Sequence, residues 1–151
     1  ADDAGNVHEL DEAARAAAVT LDVLVEVDVG AHRCGVAPGA PAAQLGMAIA
    51  QCKNLRFAGL QAYQGAAQHV RKVSERRDAI AQAVADVQLT QNLLREAGIN
   101  CDYVELSSPY GHDAFLTETE LFTPLLRDFL LGLTEPVKAC RAVSPACHVD
   151  A

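Results

Sequence analysis

Hydrophobic and polar residues alternate in the stretch LDVLVEVDVG, residues 21–30. Valines occupy every second position on one face: Val23, Val25, Val27 and Val29. The positions between them give the other face: Leu24, Glu26 and Asp28. Because successive side chains of a strand point to opposite sides, this pattern predicts a strand with one face against a core.

Two other stretches predict strands. They are LRFAGLQAY at residues 55–63 and CDYVEL at residues 101–106. Both are short, rich in apolar residues and bounded by polar or glycine-containing segments, as strands of an α/β domain are.

Helical periodicity and helix-end signals predict four helices around these strands. The first, at 6–19, opens with Asn6 as N-cap, and the second, at 41–52, has Pro41 in its first turn. The third, at 72–97, stops before Gly98. The fourth spans 117–132, with Thr117 as its cap.

The predicted order alternates helices with strands and gives the fold class α/β. Three parallel strands joined by helical crossovers would form either a partial TIM-like barrel or a small open three-layer sheet. The 151 residues are too few for a closed (β/α)8 barrel, which needs about 250. We expect one α/β domain over residues 1–132 and a tail over 133–151.

Charge and composition exclude several classes of partner. A net charge of −8 argues against nucleic acid, which requires clustered basic residues. The sequence has no apolar run near the roughly 18 residues of a membrane span. The five cysteines form no zinc-type spacing, so no metal site is expected. The acidic first residues do not resemble a secretory signal, and we expect a cytoplasmic protein.

Polar side chains that suit a flat anionic ligand follow the first two strands. Arg33 comes after the first strand, and Tyr63 and Gln64 come at the end of the second. The carboxyl ends of parallel strands are where such folds bind ligands. A guanidinium can donate hydrogen bonds to the oxygen substituents of a flat anionic ring, and a tyrosine side chain can stack on the face of that ring.

The stretches VDVGAHRCG and LQAYQGAAQHVR resemble the D-threonine aldolase and D-serine dehydratase group, over about residues 1–102. Those enzymes use pyridoxal phosphate in an alanine-racemase-type barrel. The resemblance implies that Arg33 lies beside the phenolic oxygen of the cofactor and that Tyr63 stands near its ring, with Gln64 next to it. An amino acid would be the small-molecule substrate.

The same resemblance implies two cofactor-binding features that this sequence lacks, a Schiff-base lysine and a phosphate loop. The family holds its cofactor through a Schiff-base lysine at the end of a barrel strand and through a glycine-rich phosphate loop. The lysines of this chain are Lys53, which precedes a predicted strand, Lys72, which begins a predicted helix, and Lys138 in the tail, so none is expected at the catalytic end of a strand. We therefore expect weak or lost cofactor binding and no catalysis by this chain alone.

Residues 103–130, with the motif GHDAFL, resemble the closing segment of homoserine O-acetyltransferase, an α/β-hydrolase. That resemblance implies that His112 is a catalytic general base. A nucleophile elbow of the form Gly-x-Ser-x-Gly does not occur in the sequence. The chain is thus interpreted as a composite or fragment of two families. A non-catalytic module that self-associates through its sheet edges is the remaining alternative.

Overall fold

The computed structural model describes residues 1–106, 108, 110 and 114–130, with the side chains of 129 and 130 excepted. The chain divides into two compact units, Ala1–Cys101 and Asp102–Ala151. In the described part, no helix is both long enough and apolar enough to cross a membrane.

The first unit alternates helices and strands. Its elements are α1 (Ala4–Ala17), β1 (Leu21–Val27), α2 (Ala40–Gln51), β2 (Leu55–Ala62), a 3₁₀ turn (Gly65–His69) and α3 (Val73–Glu96). As predicted, Pro41 lies in the first turn of α2, and Gly98, with φ 80°, follows the end of α3.

Strands β1 and β2 are parallel, as right-handed crossover logic predicts. Their register runs from Leu21 opposite Leu55 to Val27 opposite Ala62. One irregularity lies between Val23 and Leu24, where β2 carries an extra residue. The two carboxyl ends therefore leave the sheet side by side.

The alternation in β1 is confirmed by burial. Val25 is 0% exposed, whereas Leu24 on the opposite face is 43% exposed. The valine face packs on residues from all three helices, which form one core: Val7, Ala14, Ala42, Leu45, Ile49 and Ala83. The helices of this unit thus cover one face of the sheet, as the helices of a barrel do.

The other face of the sheet is polar and open to solvent. Arg56 of β2 forms a bidentate ion pair with Asp22 of β1, through N–O distances of 2.6 and 2.7 Å. With helices on one side only, the unit is a partial α/β barrel, and the three-layer alternative does not describe it.

Two sequence-based predictions, at the first helix and at residues 101–106, were wrong. The N-cap of α1 is Asp3, whose Oδ1 accepts hydrogen bonds from the amides of Gly5 and Asn6, so the helix begins earlier than Asn6. Residues 101–106 form no strand. The Cys101 carbonyl accepts a hydrogen bond of 2.6 Å from Gln91 Nε2, so a side chain of α3 takes an acceptor that a sheet ladder would need.

In the described part of the second unit there are two helices, α4 (Ala114–Thr117) and α5 (Thr119–Leu130), where one helix over 117–132 was predicted. Thr117 ends α4 instead of capping α5. The helix is interrupted at Glu118, whose carbonyl accepts hydrogen bonds from the amides of Leu121 and Phe122 at the start of α5. The predicted end at Gly132 and the predicted tail lie outside the described residues.

Ile49→Ala should lower the free energy of unfolding by about 2–5 kcal/mol, because it leaves a cavity in a fully buried site. Leu24→Ala on the open face should cost under about 1 kcal/mol, since little buried area is lost. Urea unfolding of both variants measures the difference. Equal losses would mean that the valine face does not form the core.

Candidate functional site

The chain leaves β1 through a loop built around the carboxylate of Asp28. Its Oδ1 accepts hydrogen bonds from the amides of Gly30 and His32, each at 3.0 Å. Its Oδ2 lies 3.0 Å from Nδ1 of the exposed His32 ring. These bonds, those from the backbone of His32 and Gly30 foremost, lower the pKa of Asp28 from 3.8 to about 2. At neutral pH this carboxylate is charged and holds the loop.

The far end of the loop returns to β1. Val36 pairs with the end of β1, donating to the Glu26 carbonyl and accepting from the Asp28 amide, both at 2.9 Å. Gly35 makes this close approach possible, because its φ is 105° and a Cβ there would lie 2.5 Å from the Asp28 nitrogen. The loop is therefore closed at both ends.

Arg33 lies between these two ends, and its side chain is exposed. Within the described residues, no hydrogen bond or ion pair is recorded for its guanidinium. The loop backbone is thus fixed while a cation projects from it. A cation presented in this way can bind an anionic oxygen without first breaking a protein contact.

The end of β2 carries Tyr63 and Gln64. The Tyr63 hydroxyl accepts a hydrogen bond of 2.6 Å from Gln68 Nε2. Its ring packs over Gly65, where a Cβ would lie 2.6 Å from Tyr63 Cε1. The Tyr63 ring is therefore held at the carboxyl end of β2.

Gln64 connects the two strand ends. Its Nε2 donates a hydrogen bond of 2.5 Å to the Val29 carbonyl in the loop after β1. Its Oε1 is buried and has no hydrogen-bond partner among the residues described. Such an atom is uncommon in folded proteins and calls for a donor from a water or a ligand.

The structure places the three predicted cofactor residues at one edge of the sheet, since Val27 pairs with Ala62 immediately before both loops. Their contact with a cofactor stays a prediction. His112 lies outside the described residues. Sequence reasoning missed two contacts here, Asp28 with His32 and Gln64 with Val29. An aspartate followed by glycine two positions later is the signal that could have indicated the first.

The two lysines in the described part of the chain, Lys53 and Lys72, differ in their positions relative to this edge. Lys53 precedes β2 at the opposite end of the sheet. Lys72 caps α3 and its Nζ donates to Glu75 at 2.9 Å. Among the described residues, no group of three or more histidine, cysteine or acidic side chains could hold a metal ion.

Comparison with known proteins agrees with this geometry. Residues 1–114 match the family described as alanine racemase, N-terminal domain. The chain belongs to this family. A D-threonine aldolase from Arthrobacter sp. is 42% identical over 103 residues, which are 68% of this chain and 27% of that protein. The chain therefore spans about a quarter of the length of the relatives it matches.

The fold of this alanine-racemase-type segment is also found in a solved relative. The crystal structure of D-threonine aldolase from Filomicrobium marinum superposes with a TM-score of 0.65 and 48% sequence identity. The match covers 69% of this chain and 28% of that one. A partial barrel is thus supported by sequence and structure together.

A second, shorter similarity is present. A homoserine O-acetyltransferase from Geotalea daltonii is 53% identical over 38 residues, which are 25% of this chain and 10% of that protein. Both families recognised from sequence motifs are therefore confirmed as matches, and the acetyltransferase match is partial.

Asp28→Asn should lower the melting temperature at neutral pH and should make the melting temperature fall less steeply as the pH is lowered. Because the pKa of Asp28 falls on folding from 3.8 to about 2, its stabilisation is complete above 3.8 and is lost as pH falls towards about 2. Melting temperatures of the wild type and variant between pH 7 and 2 measure this effect. Parallel curves would contradict the role of the carboxylate.

Proposed function

We propose that this chain is the ring-holding segment of a pyridoxal-phosphate-dependent lyase of the D-threonine aldolase type. The observation that carries the proposal is the closed loop that presents Arg33, which has no ion pair within the described residues, at the same sheet edge as Tyr63 and Gln64. Family membership and the 42% identical D-threonine aldolase support it. The substrate would be a small amino acid, and the location cytoplasmic.

The residues present fit part of what the cofactor needs. Arg33 offers a charged donor for the phenolic oxygen, Tyr63 offers a fixed aromatic face, and the orphaned Oε1 of Gln64 offers an acceptor. Bound pyridoxal phosphate supplies the electron sink for breaking bonds at the α-carbon of an amino acid. The protein residues bind and orient the ring.

Catalysis by these 151 residues alone is not part of the proposal. Lys53 precedes β2 at the opposite end of the sheet, the Nζ of Lys72 is paired with Glu75 at the start of α3, and Lys138 lies outside the described residues. Because a covalent step at the cofactor needs an amine at the carboxyl edge of the sheet, we propose reversible binding. The lysine and the phosphate loop would come from other parts of a complete enzyme.

Pyridoxal phosphate should raise the melting temperature of the wild-type chain in proportion to its concentration, because a ligand that binds only the folded state stabilises it. Arg33→Ala should abolish most of this rise. Arg76→Ala, an exposed arginine of α3, is the matched control and should retain it. An unmoved transition in the wild type would refute the proposed function.

A second candidate function is acyl transfer with His112 as general base, which the 38-residue homoserine O-acetyltransferase match favours. A general base acts on a nucleophile within hydrogen-bond reach. The sequence contains no Gly-x-Ser-x-Gly elbow to supply one. Under this candidate, the chain would be a composite that keeps the histidine without its triad.

His112→Ala should therefore leave unchanged any acetyl-ester hydrolysis or acetyl transfer to homoserine by the purified chain. The measurement compares initial rates of both variants against a blank without protein. A loss of activity in the variant would make acyl transfer the better assignment.

A third candidate is a module that self-associates. Among the described strands, β2 pairs only with β1, so its outer edge offers unpaired backbone groups. The outer edge of β1 is partly covered, since the Ala1 carbonyl accepts from the Glu26 amide at 2.9 Å. A homo-oligomer would therefore form through β2.

A further inference from the structure

Gln64 holds a position that the cofactor-binding role alone does not explain. We propose that Gln64 is a positioning residue, which fastens the loop of Arg33 to the end of β2. The ligand part of this inference rests on the proposed function. The structural part does not, because it concerns a contact within the chain.

The hydrogen bond from Gln64 Nε2 joins segments far apart in sequence, since its acceptor, the Val29 carbonyl, lies 35 residues away. The acceptor settles the orientation of the amide, because an oxygen in place of Nε2 would face another oxygen at 2.5 Å. Val29 itself is 6% exposed. Loss of this donor would leave the carbonyl of a buried residue without the hydrogen bond that Gln64 supplies, which is unfavourable.

Gly30 is shaped to receive the same amide. A Cβ on Gly30 would run into Nε2 of Gln64 and lie 3.2 Å from its Cδ, and the φ of Gly30 is 117°. Both the space and the backbone conformation therefore require glycine beside Gln64. Loop and glutamine are complementary in shape as well as in hydrogen bonding.

The bond from Gln64 ties the loop to the end of β2, which the contacts of Asp28 and Val36 do not do. The Asp28 carboxylate closes the loop on itself, and the pairing of Val36 closes it on β1. The hydrogen bond from Gln64 Nε2 joins this loop to the residue that follows β2 and Tyr63. Gln64 thus sets where Arg33 stands relative to the end of β2.

The test is amide hydrogen exchange of the full chain, followed at Gly30 and His32, whose amides bond Asp28. Gln64→Leu should speed their exchange on the order of tenfold, as expected for the loss of one buried hydrogen bond. Gln64→His should restore slow exchange, since its Nε2–H stands as many bonds from the backbone. Gln61→Leu, on the exposed face of β2, is the control. If Gln64→Leu does not fold, Gln64→Asn, which is too short to reach, replaces it.

Faster exchange confined to the loop, with rescue by histidine, would support the proposal. Unchanged exchange would overturn it, and so would equal acceleration in α2 and α3, which would indicate general destabilisation. Pyridoxal phosphate binding to the same variants separates the two claims. No binding to the wild type would refute the proposed function but would not affect the inference that Gln64 fastens the loop to the end of β2. Equal binding to the wild type and a loosened Gln64→Leu would show that the tie does not position Arg33 for the ligand.

Discussion

The parallel pairing of β1 with β2, with the valine face buried, is the constraint on which the first unit depends. It places Val27 opposite Ala62, and the residues that follow each strand therefore emerge at one edge. The helices that bury the valines leave the other face of the sheet to polar side chains. A slip of one residue would turn the valines to solvent, so the same packing that stabilises the sheet also fixes the register of the site.

At that edge, two sets of hydrogen bonds fix the loop that carries Arg33. Charged and backbone hydrogen bonds around Asp28 give the loop its shape, and the amide of Gln64 ties the loop to β2. Arg33 takes part in neither set. A rigid loop that leaves its only arginine exposed is suited to binding an anionic ligand at small entropic cost, because the backbone is already ordered.

Much of this fold could be predicted from the sequence. The alternating valines identified β1 and its buried face, Pro41 marked the start of α2, and the polar residues after two strands identified the candidate site. Local signals were sufficient there because each depends on neighbours in the chain. They could not show that Gln91 would donate to the carbonyl of Cys101, 10 positions away, or that Gln64 would donate to the carbonyl of Val29, 35 positions away, because both contacts depend on how the chain folds back between them. The sequence offers both Asp3 and Asn6 as side chains that can cap α1, and in the structure Asp3 is the N-cap.

Family membership and the lysine positions together lead to the central claim, that the chain holds the ring of pyridoxal phosphate reversibly and without a covalent lysine. The most direct test is to saturate the full chain with pyridoxal phosphate, reduce it with borohydride and weigh the intact protein. We predict binding that dialysis reverses and no stoichiometric label on any one lysine. One phosphopyridoxyl group per chain, fixed at a single lysine, would contradict it.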